Sequence, residues 1–406
     1  MTIPIRLVGG TMSIDVQSSA GAEMREGVSK VVPLIASHAQ QAERDRKVPT
    51  ENVEALRDAG FFKSLQPQKY GGTAIGADEY TPAVVDIAQS CASTAWACGL
   101  LAQHSHMLAL MSPELQDEVW GDDPDALASS SVAAINGCEE VSGGVRISGN
   151  WGWSSGCDHA SWAILGFRRE IKELPGFPIP HFAVVPMSDI TIVDDWHVAA
   201  LRGTGSKTLH LDNVYVPEHR IESIIALSSG GARGFGVHPG IFHAPFTPWF
   251  SLGFSAVSLG ISLRFLQVYS ERVKTRTRAY TGAAEINSVP AMLRIAESHH
   301  QLAATRATLE KDWKSMTDHA LSSRLPEPDV AVHWRANQSY ATKMSIEALD
   351  RLWSASGGSG FFDDNEMQRL WRDSKMTGSH AYSDYDLARQ RHGRQLLGLD
   401  PDMTIF

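Results

Sequence analysis

Four cysteines in 406 residues are too few and too scattered to make a disulfide framework. Cys91, Cys98, Cys138 and Cys157 form no CxxC pair and lack the spacing of a zinc site, so they read as reduced, mostly buried thiols of a cytoplasmic protein. A basic surplus is missing too. With 36 Lys and Arg against 46 Asp and Glu the formal charge is −10, which argues against a nucleic-acid partner. Long clean apolar runs are also absent. The stretch 94–111 is interrupted by Gln103, His104, Ser105 and His106, and 250–266 holds several serines and Arg264. Neither offers the ~20 apolar residues that span a bilayer, and the first residues lack the basic lead and apolar core of a signal peptide. Nucleotide fingerprints are lacking as well. Gly234-Phe235-Gly236 has no third glycine at the required distance, and Gly203-Thr204-Gly205-Ser206-Lys207-Thr208 is not a phosphate loop.

What is present is ample material for a core, with 43% hydrophobic and 20% charged residues. From Met24 to about Asp122 the texture is helical. Val84, Ala88, Cys91 and Ala95 recur at helical spacing and predict one buried face. Ser112-Pro113-Glu114 reads as an N-cap, a proline at the first helical position and an acid in the first turn. Between about Ala126 and Ile225 the pattern turns to strands. Short apolar runs at 145–148, 162–167, 181–187 and 208–216 are separated by turn residues, and in the last Leu209 and Leu211, then Val214 and Val216, alternate with polar residues. A glycine-rich connection at 230–239 leads back to long helical patterns over 248–394, broken at 325–328 and 357–360. The reading is an α+β chain with an N-terminal α domain (1–125), a central β domain (126–226) and a C-terminal helical domain (227–406).

Several motifs sharpen this. Pro67-Gln68-Lys69-Tyr70-Gly71-Gly72, Trp153-Ser154-Ser155-Gly156, the run from Leu201 to Ser206 followed by Val216-Pro217, 357–361 and Arg369-Leu370-Trp371-Arg372-Asp373 stand in the order they take in the acyl-CoA dehydrogenase fold, which the chain resembles. That resemblance implies a central β-sandwich or barrel and a C-terminal four-helix bundle. Within the fold the chain looks most like the two-component flavin-dependent aromatic hydroxylases, in particular those acting on p-hydroxyphenylacetate. Ile5-Arg6-Leu7-Val8, Ser129-Ser130-Ser131, 153–159, 278–282 and His380-Ala381-Tyr382 carry the closer match. Steroid-ring hydroxylases share the central motif. The resemblance implies reduced flavin, FMNH2 with FADH2 as the alternative, supplied by a separate NAD(P)H:flavin reductase. It also implies O2 as co-substrate, a C4a-hydroperoxyflavin, ortho-hydroxylation of a phenol to a catechol, and a homotetramer.

The alternatives are an acyl-CoA dehydrogenase-like oxidoreductase, a monooxygenase acting on nitrogen or sulfur or on a steroid phenol, and a non-catalytic scaffold. A dehydrogenase of this fold needs a glutamate base near the C-terminal helices. The comparable stretch from Gly378 to Tyr382 offers His380 and no Glu, and Glu366 stands upstream, out of place. A hydroxylase must instead slow the loss of hydrogen peroxide, which needs the flavin N5 proton. By the resemblance Ser155, flanked by Trp153 and Ser154, lies at N5 in a pocket that excludes water. The same resemblance implies that His104 is the ligand or base for the phenol, with Ser130 as a second hydrogen bond. Trp96, eight residues before His104, faces the same pocket. The resemblance also implies that His380 lies by the flavin ring and that Arg278, helped by Arg276, meets flavin phosphate. Phe250, with Phe246 and Trp249, lines an aromatic pocket. Thr247 stands where the p-hydroxyphenylacetate enzymes carry an arginine for the substrate carboxylate; either another group such as Tyr382 holds the acid, or the substrate has none. Metal binding by His104 and His106 is not expected, because residues two apart point to different sides of a helix.

Overall fold

The computed structural model describes residues 19–171 and 176–401; the Ile5-Arg6-Leu7-Val8 motif lies outside them. The N-terminal region holds α1 (Ser19–Ser37), α2 (Ala39–Asp45), α3 (Thr50–Asp58), α4 (Ala77–Ser90), α5 (Ala92–Ala109) and α6 (Pro113–Trp120). As the sequence predicts, α6 starts at Ser112, whose hydroxyl accepts the Leu115 N–H, with Pro113 as its first residue. The periodic face from Val84 to Ala95 is buried as expected, but it does not belong to one helix. Cys91 is extended (φ −151°) and both ends α4 and starts α5. The corner keeps all four residues inside while turning the chain, so packing overrides the local periodicity. Every residue of α5 is buried.

Strands follow: β1 (Ala128–Asn136), β2 (Glu139–Val141), β3 (Gly144–Ser154), β4 (Trp162–Arg169), β5 (Ile179–Pro186), β6 (Thr191–Val193), β7 (Lys207–Pro217) and β8 (Ile221–Ser223). They form two four-stranded sheets, ordered β1-β4-β5-β8 and β2-β3-β7-β6, in which only β1 and β4 run parallel. Val145, Ile147, Trp151, Leu209 and Leu211 from one sheet meet Ala163, Leu165, Phe167, Ala183 and Val185 from the other, so the sheets pack as a sandwich. Ile164, Phe182 and Val184 point the other way, into the helical core. The first sheet is therefore buried on both faces, which is why Trp162–Phe167 reads as a continuous apolar run. Strand β7 faces solvent on one side and alternates. Its pattern changes phase between Leu211 and Val214 because one extra residue bulges there, with Asn213 left-handed at φ +54°.

The C-terminal region holds α7 (Ile224–Ser229), α8 (Phe246–Phe250), α9 (Leu252–Thr275), α10 (Val289–Leu321), α11 (Pro328–Trp353), α12 (Glu366–Thr377) and α13 (Tyr385–Leu396). Helices α9, α10, α11 and α12 pack side by side as the bundle, and α9 also lies along α4. The run Phe246–Thr275 is long and apolar enough to cross a membrane, yet 89% of its most apolar window is buried, as in the core helix of a globular fold. At the crossing of α9 and α4, a Cβ on Gly260 would stand 2.6 Å from both the Ala88 Cβ and the Val85 carbonyl oxygen. Replacing Gly260 with Ala gains helix propensity but forces two buried backbones apart. Net destabilisation of about 1–3 kcal/mol is expected in urea unfolding.

Candidate active site

The first sheet, α5, the α8–α9 segment and the turn after α12 enclose a cavity of about 570 Å³. Its size suits a small aromatic cofactor with a substrate beside it. Trp96, Ser130, Trp153, Ser155, Phe250, His380 and Tyr382 all line it, so most of the predicted site residues do converge on one space. Ser155 follows the end of β3. The bend is sharp: Trp153 holds a left-handed φ of +69° with its indole 68% exposed, set edge-on to Trp196 at 5.3 Å. Ser155 Oγ accepts the Trp96 Nε1–H at 3.2 Å.

Aromatic rings form the far wall. Phe254 stacks on His380 at 4.1 Å, and Phe250 stands edge-on to Tyr382 at 5.0 Å. His380 is held by its own turn, since its Nδ1 accepts the Tyr382 N–H at 3.1 Å and the other nitrogen carries the proton in the neutral ring. Burial, reinforced by the charge of Arg335, pushes its pKa down to about 4. Tyr382 is pushed up to about 12 by burial, against the opposing charge of Arg335. That guanidinium lies over the Tyr382 ring at 5.1 Å and donates to the carbonyls of Ala381 and Tyr382.

His104 is 1% exposed and does not itself line the cavity; its ring stacks against Phe250, 6.1 Å away, which does. Its Nδ1 lies 2.6 Å from the Ala128 carbonyl. A carbonyl only accepts, so Nδ1 bears the proton and Nε2 keeps a lone pair. Nε2 is buried and has no partner. Burial pushes the pKa of His104 down to about 4 against that one hydrogen bond, so the ring is neutral at pH 7. His106 is used elsewhere, bonding the Ile241 carbonyl at 3.1 Å and stacking on Trp249 at 4.8 Å. Among the described residues no group of His, Cys, Asp or Glu is placed to hold a metal.

Other predicted residues stand apart from the cavity. Ser154 is buried on the opposite side of its strand and donates to Ser129 Oγ at 3.0 Å. Thr247 shares a 2.6 Å hydrogen bond with Ser228 of α7. Arg276 donates to the carbonyls of Ala355 and Ser356, and Arg278 pairs with Glu285 and Ser288. Glu366 is tied to Arg264 in a two-pronged ion pair. The reading by residues missed Ser206, Thr204, Phe254 and Arg168, all of which line the cavity. Thr204 and Ser206 stood in a recognised motif; Arg168 carries no local signal.

Helices, sandwich and bundle in this order, with a cavity where they meet, make the acyl-CoA dehydrogenase fold. The acyl-CoA dehydrogenase N-terminal domain matches residues 18–120, and its C-terminal domain matches 252–385. The chain is 46% identical over 404 residues (99% of this chain, 95% of the other) to the oxygenase component of p-hydroxyphenylacetate 3-hydroxylase from Acinetobacter baumannii. It is 33% identical over 384 residues (92% and 94%) to the oxygenase component of the FADH2-dependent resorcinol hydroxylase from Rhizobium sp. (strain MTP-10005). The crystal structure of 3-HSA hydroxylase from Rhodococcus sp. RHA1 superimposes with a TM-score of 0.88 at 32% identity, covering 93% of this chain and 97% of that one. The chain belongs to the oxygenase components of the two-component flavin-dependent monooxygenases built on this fold. It is thus an enzyme that works with reduced flavin made elsewhere.

The neutral histidines give a pH signature. A histidine with a depressed folded pKa takes up its proton first in the unfolded chain, so its contribution is present above about pH 6.5 and is lost as pH falls toward 4. Buried Asp373, pushed up to about 6 by burial, acts in the opposite sense over part of that range. Unfolding free energy should fall between pH 6.5 and 4.5. His106→Gln keeps a donor for Ile241 but cannot titrate, and should flatten that slope by up to about 1.4 kcal/mol per pH unit in urea melts.

Proposed function

We propose that this enzyme hydroxylates a phenol ortho to its hydroxyl group, giving a catechol. The observation that carries the reading is the buried, unpartnered lone pair of His104 Nε2 behind Phe250. A phenol seated against Phe250, whose ring turns aside, supplies the missing donor. A neutral imidazole draws that proton away and makes the ring carbons electron-rich. Ser130 gives the phenolic oxygen a second hydrogen bond. The flavin, FMNH2 with FADH2 as the alternative, supplies oxygen activation when bound. Ser155 and Trp153 seat it, Ser154 buttresses the strand behind them, and His380 faces its ring. The apolar wall excludes water.

The substrate is best read as a phenol without a carboxylate. Thr247 is committed to Ser228, and Arg335 is committed to backbone carbonyls beneath Tyr382. Among the described residues Arg168 is the one guanidinium lining the cavity. It sits four residues along β4 from Ile164, the partner of Ser130, or roughly 13 Å away. An acid at the aromatic end would be desolvated without a counter-ion. The reading includes a separate NAD(P)H:flavin reductase, a cytoplasmic location, a homotetramer, and no nucleic-acid or membrane partner. Tyr280, Val289, Met292 and Leu293 are exposed beside Arg276 and Arg278, and offer an apolar face for a neighbouring subunit. There the two arginines would meet a neighbour's flavin phosphate.

With photoreduced flavin, isotopically heavy dioxygen and a panel of phenols, the product should be a catechol carrying one heavy oxygen atom. Absence of incorporation with every phenol overturns the reading. Uncharged para-alkyl phenols should exceed p-hydroxyphenylacetate in kcat/KM by about tenfold or more, the scale of an unpaired buried charge; the reverse order contradicts the substrate assignment. His104→Asn should lower product per reduced flavin by about a hundredfold or more. Hydrogen peroxide should rise in its place and reduced-flavin affinity should hold; unchanged coupling would remove His104 from its role.

A further inference from the structure

Ser155 Oγ is one end of a chain of hydroxyls. It lies 2.7 Å from Ser206 Oγ, which lies 2.7 Å from Thr204 Oγ1, which donates to the Leu201 carbonyl at 2.8 Å. All three hydroxyl residues are at most 6% exposed. Each hydroxyl has one proton, so a head-to-tail chain that uses every hydroxyl proton within the run can point in one of two directions. Pointed away from the cavity, Ser155 donates to Ser206, Ser206 to Thr204 and Thr204 to Leu201. Every proton is then used, and Ser155, already accepting from Trp96, shows the cavity its remaining lone pair. Pointed toward the cavity, Thr204 donates to Ser206 and Ser206 to Ser155. Ser155 then offers its proton outward, and the Thr204 and Leu201 oxygens face each other with no proton between them.

The Leu201 carbonyl cannot turn to relieve that contact. Leu201 is held in a left-handed conformation (φ +47°) that non-glycine residues seldom adopt. Its N–H donates at 2.6 Å to Asp373, a carboxyl that is 2% exposed on α12. Its carbonyl also takes the Thr204 N–H at 3.1 Å and the Trp196 Nε1–H at 3.3 Å. The outward-accepting direction is therefore the lower in energy, by about one hydrogen bond.

We infer that the Ser155–Ser206–Thr204 chain, fixed at Leu201, makes this site select reduced over oxidised flavin. The inference rests on the proposed function, with Ser155 at flavin N5. Reduced flavin carries a proton on N5 and meets a lone pair. Oxidised flavin has a bare N5, so it either confronts that lone pair or reverses the chain and forfeits the Leu201 bond. Ser206 and Thr204 are positioning residues that act through Ser155.

The test is equilibrium binding, with no turnover. Wild type, Ser206→Ala, Thr204→Val and Thr204→Ser are titrated with oxidised flavin and, anaerobically, with reduced flavin, following protein fluorescence. Wild type should bind the reduced form more tightly. Ser206→Ala frees the Ser155 proton for a bare N5, so the ratio of the two dissociation constants should fall by about threefold to tenfold, chiefly through tighter oxidised-flavin binding. Thr204→Val should move it the same way, and Thr204→Ser should keep the wild-type ratio. If Ser206→Ala does not fold, the Thr204 pair carries the comparison. An unchanged ratio in Ser206→Ala and Thr204→Val, with wild type binding reduced flavin, overturns the inference and leaves the hydroxylase reading intact. Wild type that prefers neither form also overturns it, and wild type that binds neither form overturns the functional reading as well.

Discussion

Helix α5 is buried on every side, and the polar side chains it carries must each find a partner or remain at a cost of a few kcal/mol. Where they find partners fixes the site. Gln103 reaches the Trp249 carbonyl on α8, His106 the Ile241 carbonyl, His104 the Ala128 carbonyl at the head of β1, and Trp96 the Ser155 hydroxyl after β3. Four contacts from one helix thereby pin the sandwich and the entrance to the bundle around a common space. Two atoms on the helix are left over, Gln103 Oε1 and His104 Nε2, and the proposed chemistry uses the second.

Electrostatics inside that space run against the character of the whole chain. The protein is acidic overall, yet apart from Arg168 the cavity is lined by one neutral histidine, hydroxyls, rings and apolar side chains, with neutral His104 behind Phe250. Burial supplies that neutrality and strips charge from His104 and His380 alike. The uncharged, largely apolar aromatic end suits a phenol whose proton must be drawn off and an activated oxygen that water would discharge. Among the described residues no Asp or Glu lines the cavity, and Glu366 is tied to Arg264, so the carboxylate base that a dehydrogenase would require has no counterpart there.

Much of this was legible in the sequence, for reasons that can be named. The doubly buried first sheet wrote itself as an apolar run at Trp162–Phe167, and the half-exposed β7 as an alternation, broken where Asn213 bulges. Ser130, Ser155, Phe250, His380 and Tyr382 were reached through motifs and Trp96 through its helical spacing from His104, and each of these six lines the cavity, although His104 itself does not. The corner at Cys91 was not legible, because a periodic apolar face looks the same across a bend that preserves its burial. Nor was the direction in which Thr247 and Ser154 point, since strand and helix register depends on distant packing. Thr204 and Ser206 sat in plain sight within a motif, but their value lies in hydrogen bonds to a turn held by Asp373, 169 residues beyond Thr204. Tertiary polar networks leave no periodic trace.

In the proposed function this cavity shelters reduced flavin while it reacts with oxygen. The most direct measurement is rapid mixing of the anaerobic protein–reduced flavin complex with oxygenated buffer, without substrate, followed by absorbance. A species absorbing at shorter wavelength than oxidised flavin should form and outlive the oxidation of free reduced flavin by a wide margin. Direct appearance of oxidised flavin at the free-flavin rate, with no such species, would contradict the proposed function.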